Sequence, residues 1–185
     1  MFTLTVDEEI ELKLLERKDA AELFETVDRC RDYLREWLPW VDSMQKKEDY
    51  YSIIEMWLEQ FKKNDGFQAA ILYKDKIVGM AGYHGIDRNN QKTSIGYWLD
   101  KDYQGKGIMT KVTKTLVDYA FYELGLNRVE IQCGVHNIKS RAIPERLGFK
   151  QEGILREAEF LYDHFHDLMV YGMLAKDWKK EESRS

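Results

Sequence analysis

Proline and cysteine are the scarce residues of this 185-residue chain, with two of each. Cys30 and Cys133 form no framework and no Cys-x-x-Cys pair, which excludes a disulfide scaffold and a dithiol redox motif. Both read as small buried hydrophobes, and a reducing cytoplasm is the expected compartment. An excess of positive charge is also missing: 28 Lys and Arg stand against 33 Asp and Glu, a formal net charge of -5. Broad affinity for nucleic acid or an anionic membrane needs a basic surface, so neither partner is expected. No apolar run approaches the roughly 20 residues of a membrane span, and "MFTLTVDEEIEL" has neither the basic nor the apolar block of a secretory leader. Repeats, low-complexity tracts and interdomain linkers are absent too. What is present is 44% apolar and 13% aromatic residues, enough for a sizeable core. One domain over residues 1–178 is expected, followed by a solvated tail, "KKEESRS", over 179–185.

Hydrophobic spacing divides the chain into mixed elements. "IELKLLE" alternates like a strand, while "DAAELFETVDRCRDYLREWL" sets Leu23, Val27, Cys30 and Leu34 on one helical stripe. A second helix is expected over "EDYYSIIEMWLEQFKKN", closed by Asp65-Gly66. Three strands follow ("FQAAILY", "KIVGMAGYHGI", "TSIGYWL"), then a helix from about Ile108 to Leu124, the strand "RVEIQCGV" and a short helix before Gly148. Two long extended stretches, around "FKQEGILREAEF" and "HDLMVYGML", close the chain. The order is a meander, then strand-helix-strand-helix, then a hairpin, which is an α+β fold with a mixed sheet.

The glycines of "DYQGKGIMTKVTKTLVDYAF" stand where a helix begins. A P-loop would need glycine at Asp100 and Ser or Thr at Gly107, so a nucleoside triphosphatase is excluded. A dinucleotide fingerprint would need a third glycine at Thr110 and fails as well. Two residues without Cβ still allow φ > 0 and close approach of a ligand, and the amides of about Gly105 to Thr110 would point out of a helix start that favours phosphate. From the glycines alone, a tight strand-to-helix turn without a ligand is an equal reading.

"SIGYWLDKDYQGKGIMTKVTKTLVDYAF" followed by "NRVEIQCGVHNIKSRAIPERLGFKQEG" resembles the GNAT N-acetyltransferase superfamily over nearly the whole chain. In that family a Gln/Arg-x-x-Gly-x-Gly/Ala motif binds the pyrophosphate of acetyl-CoA. Gln104, Gly107 and Met109 fall on its three specified positions, with Gly105, Lys106 and Thr110 beside them, and Met109 departs from the usual small residue. Asn137 and Ser140 match a second motif, Asn-x-x-Ser, ahead of a Glu-Arg-Leu-Gly-Phe run. "RCRDYLREWLPWVD", "HNIKSRA" and "EGILREAEFLYDHFHDLMVYGML" narrow the likeness to ribosomal-protein N-terminal acetyltransferases of the RimJ/RimL kind. The resemblance implies a mostly antiparallel mixed sheet flanked by helices, with a V-shaped splay between the fourth and fifth strands, those carrying "IGYWLD" and "VEIQCG". Trp98 and Leu99 would then offer backbone groups to the pantetheine arm, as an added strand does.

The resemblance also implies roles in catalysis. The superfamily's usual tyrosine acid would stand at Pro144, so Ser140 takes that part, as a serine does in the subgroup. Pro144 offers no N–H to the Ser140 carbonyl, so the short helix should kink or begin late. The base implied by the subgroup is Glu159, with Glu157 as its same-face neighbour and His84 as a further base or relay. Trp37 and Trp40 would wall the acceptor cleft. Plainer readings stand beside these: Ser140 capping its own helix, Glu159 as a solvated edge carboxylate, and the tryptophans as hairpin core. His164 and His166 share a strand face but have no third ligand of metal spacing, so no metal is expected. The implied cosubstrate is acetyl-CoA and the implied acceptor a protein N-terminus, with a small-molecule amine or an idle CoA-binding sensor as alternatives. The apolar strands "FLYDHF" and "MVYGML" point to a two-fold homodimer, common in the subgroup.

Overall fold

Ile10, Leu12 and Leu14 alternate with Glu11 and Lys13, and in the computed structural model, which describes residues 2–184, that alternation is a strand. β2 (Ile10–Lys13) pairs antiparallel with β1 (Thr3–Thr5), a short strand without a sequence signal of its own. The stripe of Leu23, Val27, Cys30 and Leu34 is buried as its spacing predicts. The expected single helix is nevertheless two, α1 (Ala20–Arg29) and α2 (Arg31–Arg35). Cys30 leaves helical geometry at φ -123° and ψ 33°. Its thiol donates to the Thr26 carbonyl at 3.2 Å while its own amide turns to Val27. α3 (Asp49–Lys62) ends before Asn64 and Gly66, both at positive φ.

β3 (Gln68–Tyr73), β4 (Lys76–Asp87) and β5 (Lys92–Leu99) follow, then α4 (Ile108–Asp118) and a wider π-turn over Tyr119–Glu123. β6 (Arg128–Gly134), α5 (Ile138–Arg146), β7 (Lys150–Leu161), β8 (His164–Leu174) and α6 (Ala175–Glu182) complete the chain. The stretch read from composition as a tail therefore continues a helix. One buried residue anchors it: the Trp178 indole donates to Asp118 at 2.8 Å and packs against Phe121.

Eight strands form one sheet in the order β1-β2-β3-β4-β5-β6-β8-β7. β1–β2, β2–β3, β3–β4, β6–β8 and β8–β7 pair antiparallel and β5–β6 pairs parallel, so the mixed α+β architecture holds. The parallel ladder covers only Lys92–Ile95 against Arg128–Ile131. It ends between the strands where the splay was expected, β6 continuing with β8 through Gly134.

The chain groups into two compact units. The first runs to Gly82 and takes in Tyr97–Val112; its core joins Leu23, Val27, Leu34, Tyr50, Ile54 and Met80. The second comprises Tyr83–Gly96 and the chain from Thr113. In it Tyr83 is fully buried, donates to the Leu116 carbonyl at 2.6 Å and stacks on Tyr119.

One sequence expectation is narrowed here and another corrected. Of the two outcomes expected at Pro144, the late start does not occur, since α5 begins at Ile138 with Pro144 inside it. The helix absorbs the missing N–H because side chains brace it: Arg141 donates to Tyr171 at 2.8 Å, and Tyr171 donates to Glu145 at 2.7 Å. Glu157 is not a simple same-face neighbour of Glu159. Leu155 opposes Leu168 and Glu159 opposes His166, so β7 carries two extra residues between those pairs. Glu157 sits in that bulge at φ 47°, its amide donating to Asp167 at 2.7 Å.

Gly79 of β4 has no room for a side chain, since a Cβ there would stand 2.2 Å from the Trp98 carbonyl oxygen. Gly79→Ala should cost about 2 kcal/mol of unfolding free energy by forcing backbone apart. Gly105→Ala, with open space but positive φ, should cost about 1 kcal/mol. Urea denaturation checks both; equal midpoints for Gly79→Ala and the parent would contradict the close approach.

Candidate active site

In the first unit, the chain leaving β5 is tied down before it reaches the glycines. The Asp100 amide donates to the Val78 carbonyl at 2.7 Å. Its buried carboxylate accepts from the Asp102 amide at 2.9 Å and pairs with the Arg29 guanidinium. The Gln104 carboxamide donates to the Tyr33 hydroxyl. Gly105 and Gly107 then adopt φ 77° and 75°, which side-chain-bearing residues rarely do. An added Cβ would meet nothing within 4 Å at either glycine, so the outer face of the turn is open. The Lys111 amide donates to the Gly107 carbonyl at 3.2 Å, and the amides ahead of it lie at the positive end of α4. Open glycines ahead of an 11-residue helix fit a phosphate group.

Around this turn Lys106 is exposed and Thr110 half-buried. Met109 is buried, so its departure from a small residue puts a side chain into the core, not onto the turn's open face. Leu99 is buried and Trp98 packs against the first unit's core, its ring 6.0 Å from that of Trp40. Trp40 is itself half-buried in that packing, and Trp37 is half-buried beside it in sequence. For Trp40, the hairpin-core reading therefore describes part of what the side chain does.

The second unit holds the other candidates. Asn137 caps α5, its side-chain oxygen accepting from the Ser140 amide at 3.3 Å. Ser140 is thus not its own helix cap, and its hydroxyl donates to the Cys133 sulfur at 3.3 Å. Glu159, half-buried, contacts His166 Nε2 at 2.7 Å across the β7–β8 ladder. His164 instead meets Asp163 at 2.7 Å, with its ring 6.4 Å from that of His166. Among the described residues no group of three or more His, Cys, Asp or Glu could hold a metal ion.

His84 lies over Gly96, where a Cβ would come 2.4 Å from its Nε2, and its Nδ1 contacts the Ser94 hydroxyl at 3.0 Å. Sequence reasoning missed Arg29, Tyr33, Asp100, Ser94 and the Arg141–Tyr171–Glu145 brace. Asp100 drew notice only for breaking a P-loop pattern. Its real partner is 71 residues away, a distance at which no spacing rule operates.

Parallel β5 and β6, a glycine turn and α4 after β5, and an Asn-capped helix after β6 are the features that the resemblance to N-acetyltransferases implies. Residues 9–150 match the acetyltransferase (GNAT) domain family, and the chain belongs to it. The chain is similar to YdaF of Bacillus subtilis (strain 168), provisionally named a ribosomal N-acetyltransferase. The two are 40% identical over 183 residues, covering 98% of this chain and 100% of that one. The ribosomal-protein-serine acetyltransferase of Escherichia coli (strain K12) is 28% identical over 93% of this chain and 96% of its own. The crystal structure of the microcin C7 self-immunity acetyltransferase MccE, in complex with acetyl-CoA and AMP, superposes with a TM-score of 0.86. It is 31% identical, over 91% of this chain and 94% of that one.

His84 keeps an exposed edge, and partial desolvation where its ring lies over Gly96 holds the imidazole below its ordinary value of 6.5. The unfolded chain then binds the proton first, so the contribution of His84 is constant above pH 6.5 and is lost as pH falls toward the folded-state value. His84→Gln should flatten the decline of unfolding free energy between pH 6.5 and 5, read from urea midpoints across that range. Parallel curves for parent and variant would contradict the shift.

Proposed function

We propose that this enzyme transfers the acetyl group of acetyl-CoA to the N-terminal α-amine of a ribosomal protein, by direct attack in a ternary complex. The observation that carries this reading is the near full-length similarity to the E. coli protein named a ribosomal-protein-serine acetyltransferase. In the proposed scheme the turn of Gln104, Gly105, Lys106, Gly107, Met109 and Thr110 binds pyrophosphate. The backbone at Trp98 and Leu99 pairs with pantetheine, and Asn137 contributes to cosubstrate binding. The acceptor nitrogen, deprotonated by Glu159, attacks the thioester carbonyl, and the C–S bond breaks. The departing CoA thiolate takes the Ser140 proton, and the second proton shed by the new amide nitrogen restores the serine hydroxyl. A backbone N–H near Leu99 faces the developing oxyanion, a kind of donor worth ~3 kcal/mol. Trp37, Trp40, His84 and Glu157 contact the acceptor.

Proton affinity permits this acceptor class without selecting it. An α-amine has a pKa of ~7.8 and a lysine ~10.4, a difference of ~3.5 kcal/mol in the cost of deprotonation. The likeness to MccE favours a second reading, acetylation of a small-molecule amine. The chain acts in the cytoplasm, without nucleic acid or membrane as partner.

The test is acetyl-CoA turnover on peptides with free and blocked N-termini, set against aminoglycosides and polyamines. Turnover confined to free N-termini supports the proposal. Turnover confined to the small amines supports the second reading, and none with any acceptor leaves a CoA-binding sensor. Ser140→Ala should lower kcat about 10²-fold, with acetyl-CoA affinity nearly unchanged. An unaltered kcat would remove Ser140 from the acid role.

A two-fold homodimer is also proposed. The corrected picture places the exposed apolar surface on β7 and the hairpin tip: Ile154, Leu155, Phe160 and Phe165 are exposed, whereas Met169, Tyr171 and Met173 of "MVYGML" are buried. Light scattering at micromolar concentration should give twice the 22.0 kDa chain mass. A single 22.0 kDa species would refute self-association.

A further inference from the structure

We propose that Arg29 is a positioning residue for cosubstrate binding: its pairing with Asp100 cancels a buried negative charge and fixes where the glycine turn begins. The inference rests on the reading above, in which that turn takes the pyrophosphate of CoA.

Asp100 is fully buried, four residues ahead of Gln104 and seven ahead of Gly107. A buried carboxylate is costly unless paired, and one beside an anion-binding turn also opposes the incoming anion. Arg29 supplies the pairing cation, and its guanidinium is held protonated above its usual range chiefly by the hydrogen bond to Asp100. The Arg29 side chain is itself 53% exposed, so the pair is one-sided. Losing Arg29 removes a half-solvated cation but strands a buried anion, which is the expensive half of such a pair.

Position matters as well as charge. Asp100 organises the one-turn helix Lys101–Tyr103 by accepting from the Asp102 amide, and its carbonyl accepts from the Tyr103 amide at 3.0 Å. The next residue of the motif, Gln104, donates to Tyr33 of α2. Arg29 closes α1 and Tyr33 belongs to α2, so two tethers from either side of the Cys30 break hold the segment that presents Gly105 and Gly107. The Gln104 side chain is thereby spent on an internal bond.

The test is calorimetric Kd for CoA in the full chain carrying Arg29→Gln, Asp100→Asn, both together, or Gly107→Asp, with folding of each checked by circular dichroism. Pantetheine, which has no pyrophosphate, is the control ligand, followed by NMR shifts. Arg29→Gln should weaken CoA about tenfold, or about 1.4 kcal/mol, and leave pantetheine within about twofold. The double variant should recover to within about threefold of the parent, because Asp100→Asn removes the stranded charge and keeps the side chain's shape. If Arg29→Gln leaves CoA affinity unchanged, or weakens both ligands alike, Arg29 has no positioning role. If the double variant binds as weakly as Arg29→Gln, the guanidinium acts on the ligand itself and the proposal falls. Gly107→Asp separates the two levels. Unaltered CoA binding there would overturn the pyrophosphate reading, whereas its loss alongside a neutral Arg29→Gln would overturn only the role of Arg29.

Discussion

β5 keeps β6 as a neighbour for four residues and then stops, and the course of the chain toward the glycine turn depends on how the rest of β5 is held. A strand that loses its partner on one edge must be secured on the other. Here the Trp98 carbonyl comes so near Gly79 that no side chain fits, and the Asp100 amide reaches the Val78 carbonyl. Gly79 is therefore constrained by packing, while Gly105 and Gly107 are constrained by φ. One residue type thus serves two different physical requirements along the same path of chain.

The helix that follows β6 shows a comparable division of labour. Asn137 takes over the capping of α5, which leaves the Ser140 hydroxyl to point at Cys133. Pro144 occupies the place of the superfamily's tyrosine and withholds an N–H from the helix. Tyr171, arriving from β8, bonds Arg141 and Glu145 on either side of that proline, and Arg141 also donates to the Val135 carbonyl at 2.8 Å. A side-chain network has replaced a backbone bond. The helix carrying Ser140 is held by β8 and by the end of β6, not by its own ladder alone.

What was legible in the sequence is what depends on short-range periodicity. The Leu23–Leu34 stripe, the three strands from Phe67 to Leu99 and the glycine turn all announce themselves within a few residues. The break at Cys30 did not, because the stretch holds neither glycine nor proline to mark it. Neither did the bulge around Glu157, since counting by twos presumes an unbroken ladder. α6 was hidden by the charge of "KKEESRS", although a single tryptophan anchors it. Arg29 and Asp100 were illegible for the plainest reason. Their meeting is tertiary, and composition carries no record of it.

β7 stands last in the strand order, and it is broken twice: once where Glu152 is the extra residue between Gln151 and Gly153, and again between Leu155 and Glu159. A straight twelve-residue border with Ile154, Leu155 and Phe160 exposed would be a template on which further chains could stack without limit. Bulges twist such a border and interrupt the regular row of amides and carbonyls that an incoming strand would need. Glu152, turned out of register, is held by Arg128 through contacts of 2.7 and 2.8 Å, so the kink is locked in place by charge. The irregularity that defeats counting by twos thus also denies a stacking strand the unbroken row it would need.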